Sequence, residues 1–344
     1  MLADAVRLEC GLAAAFAAAG ASPAEAGLIA RHLVEASLRG HDSHGVGLLP
    51  HYLDAIRSGA LRLGRELQVA SDLGYLLVCD GGQGPGQVMA HEATRLGIER
   101  ARKHGVCVVA LRDAHHVGRI GHWAEQYAAA GLVSIHFVNV PGHAAVAAFG
   151  GTAARLGTNP FAAGFPRSGG EPVIVDFATS RWAVGKVRVA MQKGETLPEG
   201  ILLDADGCPS VDPSLLFATP AGALLPFGEH KGFGLALACE LLAGALTGGS
   251  TQTGAKAQGV TNSMLSVALS PERFAGGASY DGRVDALAAW LASEDPRGSP
   301  IQLPGEPERA LRQKRLVEGI PVESATWEAM IASVAALGIA SPFA

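Results

Sequence analysis

Four short segments place histidines, hydroxyls and carboxylates among glycines, where a packed core has no use for them. In Asp42-Ser43-His44-Gly45 an imidazole follows a hydroxyl at the expected start of a helix. Asp42 or Ser43 can be a plain N-cap there. A histidine in that position is equally an acid/base device, because the positive end of the helix dipole holds its pKa down. A second segment carries His115, His116, Arg119 and His122 between glycines, just beyond the expected strand 106–111. Loops past the carboxyl ends of strands are where α/β proteins bind ligands. Read as zinc ligands, His115, His116 and His122 lack a matching carboxylate or cysteine pair. Acid/base chemistry is therefore the reading, with no metal.

The other two segments suit anions. Val173-Ile-Val-Asp176-Phe177-Ala178-Thr179-Ser180 ends an expected strand in small and hydroxylated residues. Free backbone N–H groups with the Thr179 and Ser180 hydroxyls can hold a phosphate, or the two can simply cap the next helix. In Pro226-Phe-Gly-Glu-His230-Lys231-Gly232 a cationic pair precedes an apolar helix. Positive charge opposes the dipole at that end, so an anion is expected against it. The loop Gly81-Gly-Gln-Gly-Pro-Gly86 joins an expected strand to a helix but is not G-x-G-x-x-G. No acid ends the strand at 106–111, where ribose would be recognised. A tight turn is the simpler reading.

These segments need an α/β frame. Helices are expected over 1–19, from the Ser22-Pro23-Ala24-Glu25 capping box towards Gly40, and over 44–58, where Pro50 kinks the helix or begins its regular part. Strands are expected at 75–80, 106–111, 132–138, 173–177 and 263–269, with helices after Gly86, from His122, over 179–190 and, buried, over 230–247. Asp204-Ala-Asp-Gly207 reads as a hairpin turn, and two polar helices follow Pro304. Helical ends around an α/β middle divide the chain into a helical part (1–72), an α/β domain (73–300) and a helical return (301–344).

Composition narrows the function. The 344 residues are 48% hydrophobic and 17% charged, which makes a globular chain with a sizeable core. A net charge of -5 offers no basic footprint for nucleic acid or for a membrane surface. Five scattered cysteines without a CxxC argue against a disulfide framework and for a reducing compartment. The most apolar stretch, 233–246, is short for a bilayer span and carries Glu240. A cytoplasmic small-molecule enzyme fits this balance.

Taken together and in order, HDSHGVGLLPHY (41–52), HHVGRIGHWAEQ (115–126), RLGTNPF (155–161), VDFATS (175–180), FGEHKGFGLAL (227–237) and the LPGEPE…EGIP tail resemble the type-2 malate/L-lactate dehydrogenases along nearly the whole chain. Within that family the motifs look most like the bacterial hydroxycarboxylate dehydrogenase B group. The resemblance implies an α/β, non-Rossmann fold with a mixed-sheet domain and a discontinuous helical subdomain, working as a homodimer. It implies NAD or NADP as cofactor, NAD favoured, with His44 at the nicotinamide and His116 the other acid/base candidate. Gly118, Arg119, Ile120, the turn Asp176, Phe177, Ala178, Thr179, Ser180, then His230 with Lys231, Asn262, and Gly305, Glu306, Pro307, Glu308 would line the cofactor.

The expected reaction passes a hydride between the nicotinamide and C2 of a 2-oxoacid or 2-hydroxyacid, while a histidine moves the proton on oxygen. A cyclic-imine reductase of the Δ1-piperideine-2-carboxylate type is the alternative, and a silent binding protein the third reading. Many relatives carry arginine four residues after the DSHG histidine, where this chain has Leu48. On a regular helix His44, Leu48 and Tyr52 share a face. With Ser43 they would wall a substrate site suited to bulky or aromatic side chains, and Arg119 would take the carboxylate.

Overall fold

The computed structural model describes residues 1–254, 259–293, 298 and 301–343, without the side chain of Gln192. Its centre is a seven-stranded sheet in the order 68–72, 76–80, 106–114, 262–269, 133–139, 161–165, 173–177. The pair 76–80 and 106–114 is parallel; every other described pair of that sheet is antiparallel. A Rossmann unit needs consecutive parallel crossovers, so this topology agrees with the missing glycine fingerprint. Strand Asn262–Leu269 inserts between two strands more than a hundred residues upstream, bringing distant segments to one sheet end.

Apolar clusters divide the molecule three ways. The helical cluster joins both chain ends: Leu12, Phe16, Leu33 and Tyr52 pack with Ile320, Met330 and Val334. The sheet cluster holds Leu77, Met89, Val109, Trp123, Tyr127 and Met264. A third, unexpected from sequence, packs Val146, Val187, Leu202 and Leu224 under a five-stranded sheet of two- and three-residue strands. Strands that short carry almost no alternation to read. The expected hairpin turn at 204–207 lies in this small lobe, between Leu202–Leu203 and Pro209–Ser210.

Local signals account for the first two helices. Asp4 caps Ala5–Ala18, and Ser22 and Glu25 form both bonds of the capping box at Pro23–Leu38. Three expectations need correction. The helix expected from His44 begins only at Leu49, after two 3-10 turns, with Pro50 in its first turn. The helix after the VDFATS turn is Val184–Lys193, because the Ser180 hydroxyl bends the chain by donating to the Trp182 carbonyl. The segment from His230 is α-helical to Cys239 and π-helical over Glu240–Ala245. It is not buried throughout: Leu237, Leu241 and Leu246 are 41%, 53% and 66% exposed.

Candidate active site

Two histidine segments meet at the C-terminal end of the parallel strand pair. His44 ends the 3-10 turn Asp42–His44, and His116 opens the loop that follows strand Val106–Ala114. Their rings stack with centroids 5.4 Å apart and planes 24° from parallel. Ser43 Oγ lies 2.9 Å from His44 Nδ1. The Tyr52 hydroxyl lies 2.7 Å from His116 Nδ1 and accepts from Gln87 Nε2 at 2.6 Å.

The supports of these segments are visible residue by residue. Asp42, one of the two candidate caps, pairs instead with Arg315 of helix Glu306–Glu318. Gly45 presses on Ser37, whose hydroxyl accepts from Val46 N at 3.1 Å. Gly185 packs on Ser43 so closely that a Cβ would lie 2.1 Å from the serine Cβ. Gly118 turns at φ +75° directly over His32. Asn262 fixes the same loop to the sheet, its Oδ1 accepting from Val117 N at 3.0 Å while its Nδ2 donates to Asn139 O.

Burial sets the protonation of the site. His44 and His115 are each pushed down to about 4 and His41 to about 3, in every case chiefly by loss of solvent. His116 and His32 are held well below the usual imidazole range for the same reason. The helix dipole is not the cause at His44, which closes a 3-10 turn rather than opening a helix. Asp176 is pushed up by burial against the opposing pull of Arg119.

Beside His44 opens a cleft of about 630 Å³. Its wall includes Ser43, Gly118, Arg119, Ile120, Asp176, Phe177, Ala178 and Ser180, and on the facing side Lys186, Pro307 and Glu308. His116 and Tyr52 are not among the residues that line this cleft; His116 stacks on His44, which does, and Tyr52 meets the His116 ring edge-on. The Thr179 and Ser180 hydroxyls donate to the carbonyls of Thr158 and Trp182, so neither stands free for a phosphate. His230 and Lys231 lie outside the cleft wall, exposed at the start of their helix, with His230 against Phe149. Gly305 begins helix Glu306–Glu318 at φ +94°, and Glu306 accepts from Leu303 N, both away from the cleft wall.

Two substrate expectations change. Leu48 packs against the helical core and does not line the cleft, and the extended Gly45 separates His44 from the helix that carries Tyr52. The three residues therefore do not form one helical face. Arg119 is 3% exposed and bound to two carboxylates, Glu125 at 2.6 Å and Asp176 at 3.6 Å. Sequence reading missed Gln87, His32, His41 and Lys186. Gln87 and His32 lie inside helices, where nothing in their spacing separates them from ordinary polar positions.

The described strands form a mixed sheet in an α/β fold, with two stacked histidines at one end of it. A model of the malate/L-lactate dehydrogenase family matches residues 4–331, and the chain belongs to that family. Hydroxycarboxylate dehydrogenase B of Escherichia coli K12 is 43% identical over 343 residues, 98% of this chain and 94% of the relative. An L-lactate dehydrogenase of Cupriavidus necator is 40% identical over 322 residues, 92% of each chain. A solved malate/lactate dehydrogenase structure from E. coli superposes with a TM-score of 0.94 at 42% identity, covering 98% of this chain and 96% of that one.

Proposed function

We propose that this protein interconverts 2-oxoacids and 2-hydroxyacids with a nicotinamide cofactor. The observation that carries the reading is the stacked His44–His116 pair, tied to Tyr52 and set beside a cleft large enough for a dinucleotide end. When bound, the cofactor supplies or accepts the hydride at the substrate's C2. The residues suited to hold it are His44, Gly118, Arg119, Ile120, the backbone of Asp176–Ala178, Pro307 and Glu308. The fit has a local mark: Glu308 lines the cleft, and its Oε2 is buried without a hydrogen-bond partner. A ribose diol satisfies such an acceptor, and a carboxylate there disfavours a 2′-phosphate, so NAD is favoured over NADP.

The chain's own residues handle the proton. In reduction an imidazole gives its proton to the oxygen of the forming alcohol, and in oxidation it takes that proton back. His116 takes the donor role in this reading, because its ring stacks on the cleft-lining His44 and Tyr52 occupies its Nδ1, which leaves Nε2 for the substrate oxygen; the Ser43 hydroxyl at Nδ1 orients His44 beside it. Arg119 already neutralises two acids, and Arg39 is paired with Glu35 and Glu125. Arg181 donates to Gly200 O, and Arg188 meets His51 and lies over the Phe217 ring, so the substrate carboxylate is assigned to Lys186, exposed at the cleft and without an ion pair among the described residues. Trp182, Val184 and Leu311 give the cleft an apolar side that suits bulky or aromatic side chains.

The exposed leucines of the 230–246 helix supply an apolar face for a homodimer, to be checked by sedimentation. Five free cysteines suit a reducing, cytoplasmic setting. The deciding assay gives the purified protein NADH or NADPH with phenylpyruvate, oxaloacetate and Δ1-piperideine-2-carboxylate. Fastest reduction of phenylpyruvate with NADH is expected. Turnover of the imine alone would overturn the reading.

A further inference from the structure

The glycine loop at 81–86 holds no dinucleotide fingerprint, yet it is built against the catalytic loop. Gly81 N donates to Arg112 O at 2.9 Å, Gln83 N to Asp113 O at 2.7 Å, and His115 N to Gly84 O at 3.0 Å. At Gly86 a Cβ would lie 2.2 Å from the carbonyl oxygens of both His115 and His116. The next residue, Gln87, is fully buried, and its amide meets the Tyr52 hydroxyl that meets His116 Nδ1. The loop thus delivers a buried amide to the back of the histidine.

We propose that Gln87, acting through Tyr52, decides which ring nitrogen of His116 carries the proton, and so is a positioning residue for proton transfer. This rests on the functional reading above, in which His116 exchanges the proton of the substrate oxygen.

Donors and acceptors along Gln87, Tyr52 and His116 fix where the protons sit. With the Gln87 N–H donating to Tyr52 Oη, the one phenolic proton has His116 Nδ1 as its remaining acceptor among the described residues. A neutral His116 then holds its proton on Nε2 and has no lone pair there to accept one. It also cannot pass the Nε2 proton on by drawing the Tyr52 proton onto Nδ1, since burial raises the phenol's pKa far above its usual value and opposes the phenolate.

Both directions of the reaction need the other arrangement, with Nδ1–H donating to Tyr52 Oη and Tyr52 O–H donating onward. In oxidation the free Nε2 lone pair then takes the substrate's hydroxyl proton. In reduction the ring first takes a proton from solvent at Nε2, a form that burial makes scarce at neutral pH, then gives it to the substrate oxygen and is left neutral, with the proton on Nδ1. The acceptor for the redirected Tyr52 proton is Gln87 Oε1, which is buried and has no partner. A turn of the amide presents it.

The titratable groups around the His116 ring are His44, stacked on it, its neighbour His115, His32 beneath Gly118, and Tyr52. The imidazoles are kept neutral by burial, so none supplies a competing charge at neutral pH.

The test is a double-mutant cycle on the full-length protein with Gln87→Met and Tyr52→Phe. Methionine fills a similar volume but cannot accept the Tyr52 proton. Gln87→Met is expected to lower kcat for hydroxyacid oxidation ~10-fold or more, part of the ~10²–10⁴ that a general base supplies, with the cofactor KM within about twofold. In the Tyr52→Phe background the same change should alter kcat less than about twofold, since the relay is already broken. In ¹⁵N-histidine-labelled protein, with the His116 signal identified by its loss in His116→Asn, the wild type should show ring shifts averaged between tautomers. Gln87→Met should show one tautomer with Nδ1 unprotonated. Equal losses of kcat in both backgrounds would make Gln87 a packing residue and overturn the proposal. So would identical His116 shifts in wild type and Gln87→Met. Absence of any 2-hydroxyacid turnover by the wild type would instead refute the functional reading, while the ring shifts still decide the role of Gln87.

Discussion

His44 and His116 are neutral because they are buried, and that fixes how the rate must respond to pH. A base with a depressed pKa stays competent well into acid. In kcat/KM for hydroxyacid oxidation, which reports the free enzyme, we expect a flat profile from about pH 8 to about pH 6 with loss only below. A limb centred at an ordinary histidine value of about 6.5 would contradict this placement. His116→Ala should cost ~10²–10⁴ in kcat, measured against circular dichroism to show the fold intact. Arg119→Ala tests the corrected role of that arginine. Its two partners would lose their counter-charge inside the protein, so a stability loss of about 3–5 kcal/mol in urea unfolding is expected. A selective rise in substrate KM with unchanged stability would restore it as the carboxylate anchor. The site histidines were visible in the sequence because paired imidazoles between glycines serve no core. Their pairing was not: Tyr52, read from sequence as a substrate wall, and Gln87, not singled out at all, come from separate helices and reach His116 only through tertiary packing.

At the scale of elements, what could be read from sequence followed the strength of local chemistry. The capping box at Ser22 and Glu25 leads directly into the helix it predicts, and the β-branched runs at 106–111 and 132–138 match the strands Val106–Ala114 and Val133–Asn139 to within a few residues. Misreadings fell where a side chain redirects the backbone, as Ser180 does, or where strands are too short to show a period. The strand Phe161–Phe165, with two alanines and a glycine, carries too little alternation to announce itself. One element makes a sharp prediction. Gly86 starts helix Gly86–His104 under the His115 and His116 carbonyls, with no room for a methyl group. Gly86→Ala must push the histidine loop outward. It should cost ~1–3 kcal/mol of stability and a larger share of activity than of stability. Retention of full kcat would show that the loop's position is not set by this contact.

For the whole molecule, buried neutral histidines are a shared liability. His32, His41, His44, His115, His116, His122 and His136 are spread over helices, loops and a strand, and every one is held below its ordinary pKa mainly by burial. His136 is also fixed from both sides, by Ser266 and Ser134 at 2.8 and 3.0 Å. Unfolded, each takes up a proton near pH 6.5; folded, values of about 3 to about 4 at five of them keep the ring neutral far lower. Below pH 6.5 the unfolded chain therefore binds more protons than the native one, and stability falls as pH falls. Each fully neutral histidine adds a slope of up to about 1.4 kcal/mol per pH unit, and the slopes sum while the rings remain unprotonated. Between about pH 6.5 and 5 most surface carboxylates are still ionised, so histidines dominate the loss in that window. Urea unfolding at pH 7.5, 6.5, 5.5 and 5.0 should show a shallow decline over the first step, about 0.4 kcal/mol per ring, and a steepening one over the next two. Phenylalanine at His136, a ring of similar shape with no proton to take up, should flatten that decline by up to one histidine's share even if it lowers stability at pH 7.5. A stability curve level down to pH 5 would mean that these rings are protonated in the native state, and the neutral acid/base pair inferred at His44 and His116 would fall with it.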